Sequence, residues 1–209
     1  MKRFLVAVLV AASASAPAAT PEPYVPLGKG TIWVHEHRAT YTGPGERKVF
    51  ANVVTEVEGE EIIGGKTYMR MVRRYEGMPG VDRITVYRRA APEGVYIAAR
   101  KDGKLREALE LALPPAVGGS WDYDDGVVSK RQVADVVALD TPAGHFEKCL
   151  KVVRDFLTDV RRKNYSQETY YCPGVGEVKS VLVQNTPNGK VVTEETLIKS
   201  SLFAPAPKR

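Results

Sequence analysis

KLREALELAL, residues 104–113, is the stretch on which the fold turns. Its Lys, Leu, Arg, Glu and Ala are strong helix formers, and Leu105, Ala108, Leu109 and Ala112 recur at helical spacing. Local propensity alone makes it a helix. Its context argues for a strand. The segment follows the turn pair Asp102-Gly103 and has a counterpart in NGKVVTEETLIK, residues 188–199. There Asn188-Gly189 feeds a β-branched run that reads as the second strand of a hairpin. If residues 105–112 correspond to 191–199, both are strands.

Three further blocks and an opening motif support that correspondence, in the same order and roughly 80–90 residues apart. Pro26, Gly30 and Trp33 recur as Pro115, Gly118 and Trp121, and Asn52-Val53-Val54 recurs as Asp135-Val136-Val137. MRMVRRY, residues 69–75, recurs as LKVVRDF, residues 150–156. Tyr87 followed by Gly94-Val95 recurs as Tyr170 followed by Gly174-Val175. The pattern predicts a duplication, with one repeat at 28–112 and the other at 117–203.

Turn signals punctuate the chain throughout, among them Gly43-Pro44-Gly45, Gly64-Gly65, Pro142-Ala143-Gly144 and Pro173-Gly174. Runs rich in Val, Ile, Thr, Tyr and Phe lie between them, which is the mark of an antiparallel sandwich or barrel. Strands are expected near 30–42, 47–57, 66–76, 83–90, 94–101, 105–112, 128–139, 145–157, 166–172, 176–185 and 190–201. The predicted class is all-β, an antiparallel curved sheet or open barrel built from two similar repeats. Residues 28–203 form one domain in this reading, between a Pro-rich extended tether at 19–27 and a flexible tail at 204–209.

The chain begins Met1-Lys2-Arg3, runs apolar from Phe4 to Ala12 and continues through small residues. Those are the three parts of a secretory signal peptide, here 1–18 with the exit at Ala16-Pro17-Ala18. The apolar run falls far short of the ~20 residues of a membrane span, and no later stretch is long enough. The mature product is therefore expected to be soluble and exported, periplasmic or secreted. Without residues 1–18 the chain carries 28 basic against 25 acidic residues, spread evenly. Nucleic-acid binders carry a basic stripe, so nucleic acid is not an expected partner.

In an oxidising compartment two cysteines are informative. A hairpin centred between Val160 and Arg161 would set Cys149 opposite Cys172, because opposed residue numbers then sum to 321. Directly opposed Cα atoms lie about 4.5 Å apart, a span a disulfide can bridge. The alternative is two free buried thiols.

Chemistry is harder to find. His35 and His37 share a strand face with Trp33, without an identified third metal ligand, and His145 is the only other histidine. Asp122, Asp124 and Asp125 lack the further oxygen ligands of a calcium loop and read as a turn. Glu58, Glu60 and Glu61 cluster beside Gly59, expected as a hairpin tip. Gly64-Gly65-Lys66-Thr67 lacks the leading glycine and following helix of a phosphate loop. The carboxylates look unarranged. No catalytic residue, metal site or cofactor is predicted, and the chain reads as a non-enzyme.

Alternation puts Met69, Met71, Arg73 and Tyr75 on one strand face, and Leu150, Val152, Arg154 and Phe156 on another. The arginine shared by the two apolar faces sits either at a rim, with its head in water, or in a wet cavity; the rim is the favoured reading. Trp33, Met69, Met71, Tyr75, Trp121, Leu150 and Phe156 are the candidate ligand-binding residues, although the same seven side chains could simply fill the core.

TPAGHF, residues 141–146, leads into Cys149-Leu150-Lys151-Val152. Together with YYCPGVGEVK, residues 170–179, it resembles a group of exported bacterial β-proteins of unknown function. Their shared pattern is close to P-A-G-x-F…K-V and Y-Y-x-P-G-V-G-x-V-K. The resemblance implies a curved sheet or open barrel, similar at the level of fold to the half-barrels that carry lipoproteins across the periplasm. It brings no catalytic residues. Three functions follow as expectations: an exported module binding an apolar small molecule or lipid, an envelope assembly protein engaging a protein partner through a sheet edge, and, least favoured, a hydrolase.

Overall fold

The computed structural model describes residues 23–78, 80, 81, 83–101, 104–126, 128–156 and 165–203. The expected signal peptide, the turn pair at 102–103 and the 204–209 tail lie outside them. Twelve strands follow one another: β1 Ile32–Thr42, β2 Arg47–Ile63, β3 Lys66–Glu76, β4 Ile84–Ala91, β5 Gly94–Lys101, β6 Lys104–Ala112, β7 Ser120–Asp124, β8 Val128–Thr141, β9 Gly144–Asp155, β10 Tyr165–Cys172, β11 Gly176–Thr186 and β12 Gly189–Ser200. Residues 104–112 are a strand despite their helical propensity. On β6, Ala108 and Leu111 are buried, and packing of this kind routinely overrides an intrinsic preference.

All twelve strands form one antiparallel sheet in the order β6-β5-β4-β3-β2-β1-β12-β11-β10-β9-β8-β7, coiled into a nearly closed barrel. β1–β6 and β7–β12 are each a meander. Where the two meet at β1 and β12, the ladder runs from Trp33↔Ser200 to Thr42↔Lys190. Where they meet at β6 and β7 there is no ladder. Side chains span that seam instead: Trp121 Nε1 donates to the Leu109 carbonyl at 2.9 Å, and Arg131 Nη1 to the Glu110 carbonyl at 2.8 Å. The two sheet edges thus face each other.

Three details differ from the sequence reading. β7 was not expected; it is short and hemmed by turn signals, yet Trp121 and Tyr123 are buried on one face. β2 does not turn at Glu58-Gly59. The register shifts there between Val57 and Gly59, so a bulge absorbs the glycine and the strand runs on to the Gly64-Gly65 turn. Glu58 consequently lies within a strand, paired with Arg70 and Arg83, rather than at a hairpin tip. Residues 23–27, expected as a tether, lie against the barrel: Val25 is buried in its core, and the Pro23 carbonyl accepts from Gly174 N at 2.9 Å.

The β9–β10 register runs from Gln167↔Arg154 to Tyr171↔Leu150, the register whose continuation opposes Cys149 and Cys172. Their sulfurs are at disulfide distance, with Cα atoms 4.1 Å apart, and both residues are fully buried. Beside them, Gly174 and Gly176 of the PGVG motif adopt φ of +70° and +99°, a region that L side chains avoid. The turn they make brings Gly176 against Pro26 and the Trp33 ring.

Candidate ligand-binding chamber

Strand alternation sends every second side chain into the barrel. At one end these side chains are apolar. Trp33, Val57, Met71, Val178 and Leu197 pack around the cysteines, and Val25, Leu111, Trp121, Val133 and Leu150 form an adjoining cluster. Further along the same strands the interior becomes ionic. A chamber of about 300 Å³ opens there, lined by Arg73, Arg88, Arg131 and Arg154 together with Glu110, Glu177, Glu195 and Asp125. That is room for roughly ten waters.

Most of these charges are matched. Arg88 makes a two-bond fork to Glu110, 2.6 Å from each nitrogen, and Tyr171 OH donates to the same carboxylate at 3.2 Å. Burial works against both ions; for Glu110, the attraction of Arg88 outweighs it and holds the carboxyl below its usual range. Arg73 meets Glu195 at 2.6 Å, and His37 Nδ1 lies 3.1 Å from the other oxygen. Burial pushes the Glu195 carboxyl up, but the His37 hydrogen bond and the Arg73 charge prevail and bring it to about 2. Arg154 bonds Ser129 and both oxygens of Asp125 at 2.9–3.1 Å. The arginine shared by the two sequence blocks therefore lines a polar cavity in both places, not the rim favoured from sequence. Nor are the carboxylates unarranged: three from distant strands converge here.

Two groups are left over. Arg131 is 6% exposed and makes no ion pair among the described residues. It donates to the Glu110 carbonyl at 2.8 Å, stacks on the Tyr123 ring at 3.8 Å, is engaged by the Tyr171 hydroxyl and the Glu110 charge, and leaves its buried Nε without a partner. Glu177 lines the chamber, and its carboxyl makes no hydrogen bond or ion pair among the described residues; only its backbone carbonyl is engaged, by His35 Nε2 at 3.0 Å. Burial, and then the neighbouring Glu195 charge, push this carboxyl up to about 7. The Gln167, Thr169, Ser180 and Thr193 side chains line the same chamber and have no hydrogen-bond partner among the described residues.

Of the seven candidates read from sequence, Trp33 lines a small cavity of about 60 Å³ beside the chamber. Its Nε1 donates to the Val175 carbonyl at 2.6 Å. Met69, Met71, Trp121 and Leu150 belong to the packed apolar end. Tyr75 meets the His37 ring edge-on at 6.0 Å, and Phe156 lies beneath the Arg154 guanidinium at 4.4 Å. The sequence reading missed Arg88, Glu110, Arg131, Glu177 and Glu195. Their one signal is a charge at an alternate, inward position of an otherwise apolar strand face, as Glu110 is two residues from buried Ala108.

The histidines are separated. Burial pushes the His35 pKa down, while His145 is exposed on the β8–β9 hairpin, 2.8 Å from Asp140. Among the described residues no Ser, Thr or Cys side chain is bonded to any imidazole, and no cluster of three or more His, Cys, Asp or Glu suits a metal. Of the three aspartates read as a turn, Asp122 and Asp124 belong to strand β7, paired with Lys130 and Val128; only Asp125 lies past it, and Asp124 Oδ1 accepts from Gly126 N at 2.9 Å.

No protein-family model matches the sequence, and no curated protein sequence does. The fold is similar to that of a protein described as a lipoprotein from Parabacteroides distasonis ATCC 8503. The TM-score is 0.51 at 13% identity, over 87% of this chain and 100% of that one. A protein described as exported, with a YmcC-like fold, from Bacteroides fragilis NCTC 9343 aligns at a TM-score of 0.46 and 14% identity, over 87% and 100% of the two chains. At such identities the likeness concerns fold alone. No helix among the described residues is long and apolar enough to cross a membrane.

Proposed function

We propose that this chain is an exported, non-enzymatic binding protein that holds a small hydrophilic molecule inside its barrel. The carrying observation is a chamber of about 300 Å³ whose lining leaves hydrogen-bonding capacity unused. Among the lining atoms only Arg73 Nε and Arg131 Nε are buried without a partner, at a cost of roughly 1–3 kcal/mol each; the other uncommitted donors and acceptors face the open chamber and are available to a polar occupant. The basic, apolar, small-residue start of the sequence and the resemblance to exported proteins support the compartment. An acyl chain, the occupant expected from sequence, suits this lining poorly, because it would strip water from charged groups without replacing the hydrogen bonds. The seven large candidates then serve as packed wall and end-plug.

Native mass spectrometry of the exported protein tests the proposal. The wild-type protein should carry a small polar molecule that denaturation releases. Thr169→Trp, which fills the chamber from the β10 wall, should be isolated without it. An acyl lipid, or an occupant equally abundant in the Thr169→Trp variant, would overturn the reading.

A further inference from the structure

The chamber has a preferred charge of occupant. Arg131 and Arg154 stand directly opposite each other on β8 and β9, and like charges so placed repel. Both guanidiniums stack on one ring, Tyr123, at 3.8 and 4.5 Å. Asp125 and Ser129 take up the donors of Arg154. Arg131 makes no such fork: it shares the Glu110 charge with Arg88, and its buried Nε is unpartnered. Gln167 is the cross-strand neighbour of Arg154, and Thr169 follows it on the same face of β10. Both put uncommitted donors into the chamber that Arg131 lines.

Resting on the lumenal reading above, we infer that the chamber is an oxyanion site: a small carboxylate or phosphate docks against the chamber-lining side of the Arg131 guanidinium, with help from Gln167 and Thr169. A planar guanidinium with unused donors matches such a group in geometry as well as charge. The same occupant would relieve the repulsion between the two arginines, which Asp125 offsets beside Arg154 and Glu110, already forked to Arg88, offsets beside Arg131. Glu177 is the remaining uncommitted group, and it faces Glu195, Arg73 and Arg88 rather than Arg131. It can accept a hydroxyl or amine from the far end of the occupant, so a hydroxy acid, an amino acid or a sugar phosphate meets both ends of the chamber.

Isothermal titration of the mature protein with inorganic phosphate and, separately, with succinate tests this and tells the two oxyanions apart. At least one should bind saturably at one site. Arg131→Gln should weaken that binding about 10- to 100-fold, the range for a lost charge-assisted hydrogen bond. Lys130→Gln removes the same charge from the exposed face of the same strand and should leave binding unchanged. Should Arg131→Gln not fold, Arg131→Lys decides, since it keeps the charge but loses the fork and must bind more weakly than wild type. Absence of binding by both anions, or wild-type affinity in either Arg131 variant, overturns the inference. A neutral or cationic occupant found by native mass spectrometry would overturn it too while leaving the lumenal reading intact; an empty chamber together with silent titrations removes both.

Discussion

Replacing Glu177 by Gln should stabilise the protein at alkaline pH and do nothing at acid pH. The Glu177 carboxyl rises from 4.5 to about 7 on folding, through burial first and the Glu195 charge second. The folded state therefore binds its proton more tightly than the unfolded chain does. That contribution is fully present below pH 4.5 and is lost as pH climbs through about 7. A rise of that size corresponds to about 3 kcal/mol, so at pH 8 the bare carboxylate costs the fold about that much. Gln copies the shape of the protonated acid and never ionises. Glu177→Gln should thus be more stable than wild type by up to about 3 kcal/mol at pH 8, on the order of 10 °C in Tm for a domain this size. The two should converge near pH 5. His35 titrates in the same window with the opposite sign: burial lowers its pKa below 6.5, so its contribution is lost as pH falls. Taking the difference between variant and wild type cancels it. Equilibrium denaturation in urea across pH 5–8.5 reads the effect. A variant less stable than wild type at pH 8, or a difference that stays flat with pH, would refute the reasoning, because the carboxyl must then have a partner.

Arg88→Met strands Glu110, which is 3% exposed, and should cost about 3–5 kcal/mol in denaturant titrations. The double change Arg88→Met with Glu110→Leu should recover most of that loss. Cys149→Ser with Cys172→Ser frees a loop of sequence separation 23 and should lower stability by roughly 2–4 kcal/mol, with denaturation of the reduced wild type as the matching control. Trp121→Phe removes the hydrogen bond from β7 to the Leu109 carbonyl. It should cost about 1 kcal/mol, with faster amide hydrogen exchange confined to β6 and β7, where no backbone ladder shares the load.

The fold was legible because turns and alternation are local. Gly64-Gly65, Asn188-Gly189 and the PGVG glycines sit at reversals whose backbone only glycine enters readily, and the strands between them follow. The Cys149–Cys172 register was legible too, since a hairpin fixes its pairs by simple addition. The correspondence with residues 191–199 recovered β6, where propensity pointed to a helix. The chamber was not legible for a physical reason. A charged residue at an inward position looks the same in sequence whether it reaches a rim or meets a partner across the barrel. Arg88 and Glu110 are two strands apart, and Arg73 and Glu195 lie in opposite halves of the chain; only the strand order and inward curvature of the sheet bring each pair together. Arg131 is the clearest case, since the acid it shares, Glu110, is already forked to Arg88, a property that appears only once all its neighbours are known.

The central claim is that the barrel interior past Trp33 is an ionic, hydrated chamber built to be filled by something polar. A crystal structure of the protein, isolated without added ligand, examines it directly. Density for ordered water or a small polar molecule in contact with both Arg131 and Glu177 is the result predicted. An acyl chain in that space, or a collapsed interior with Arg131 and Glu177 paired to other side chains, would contradict it.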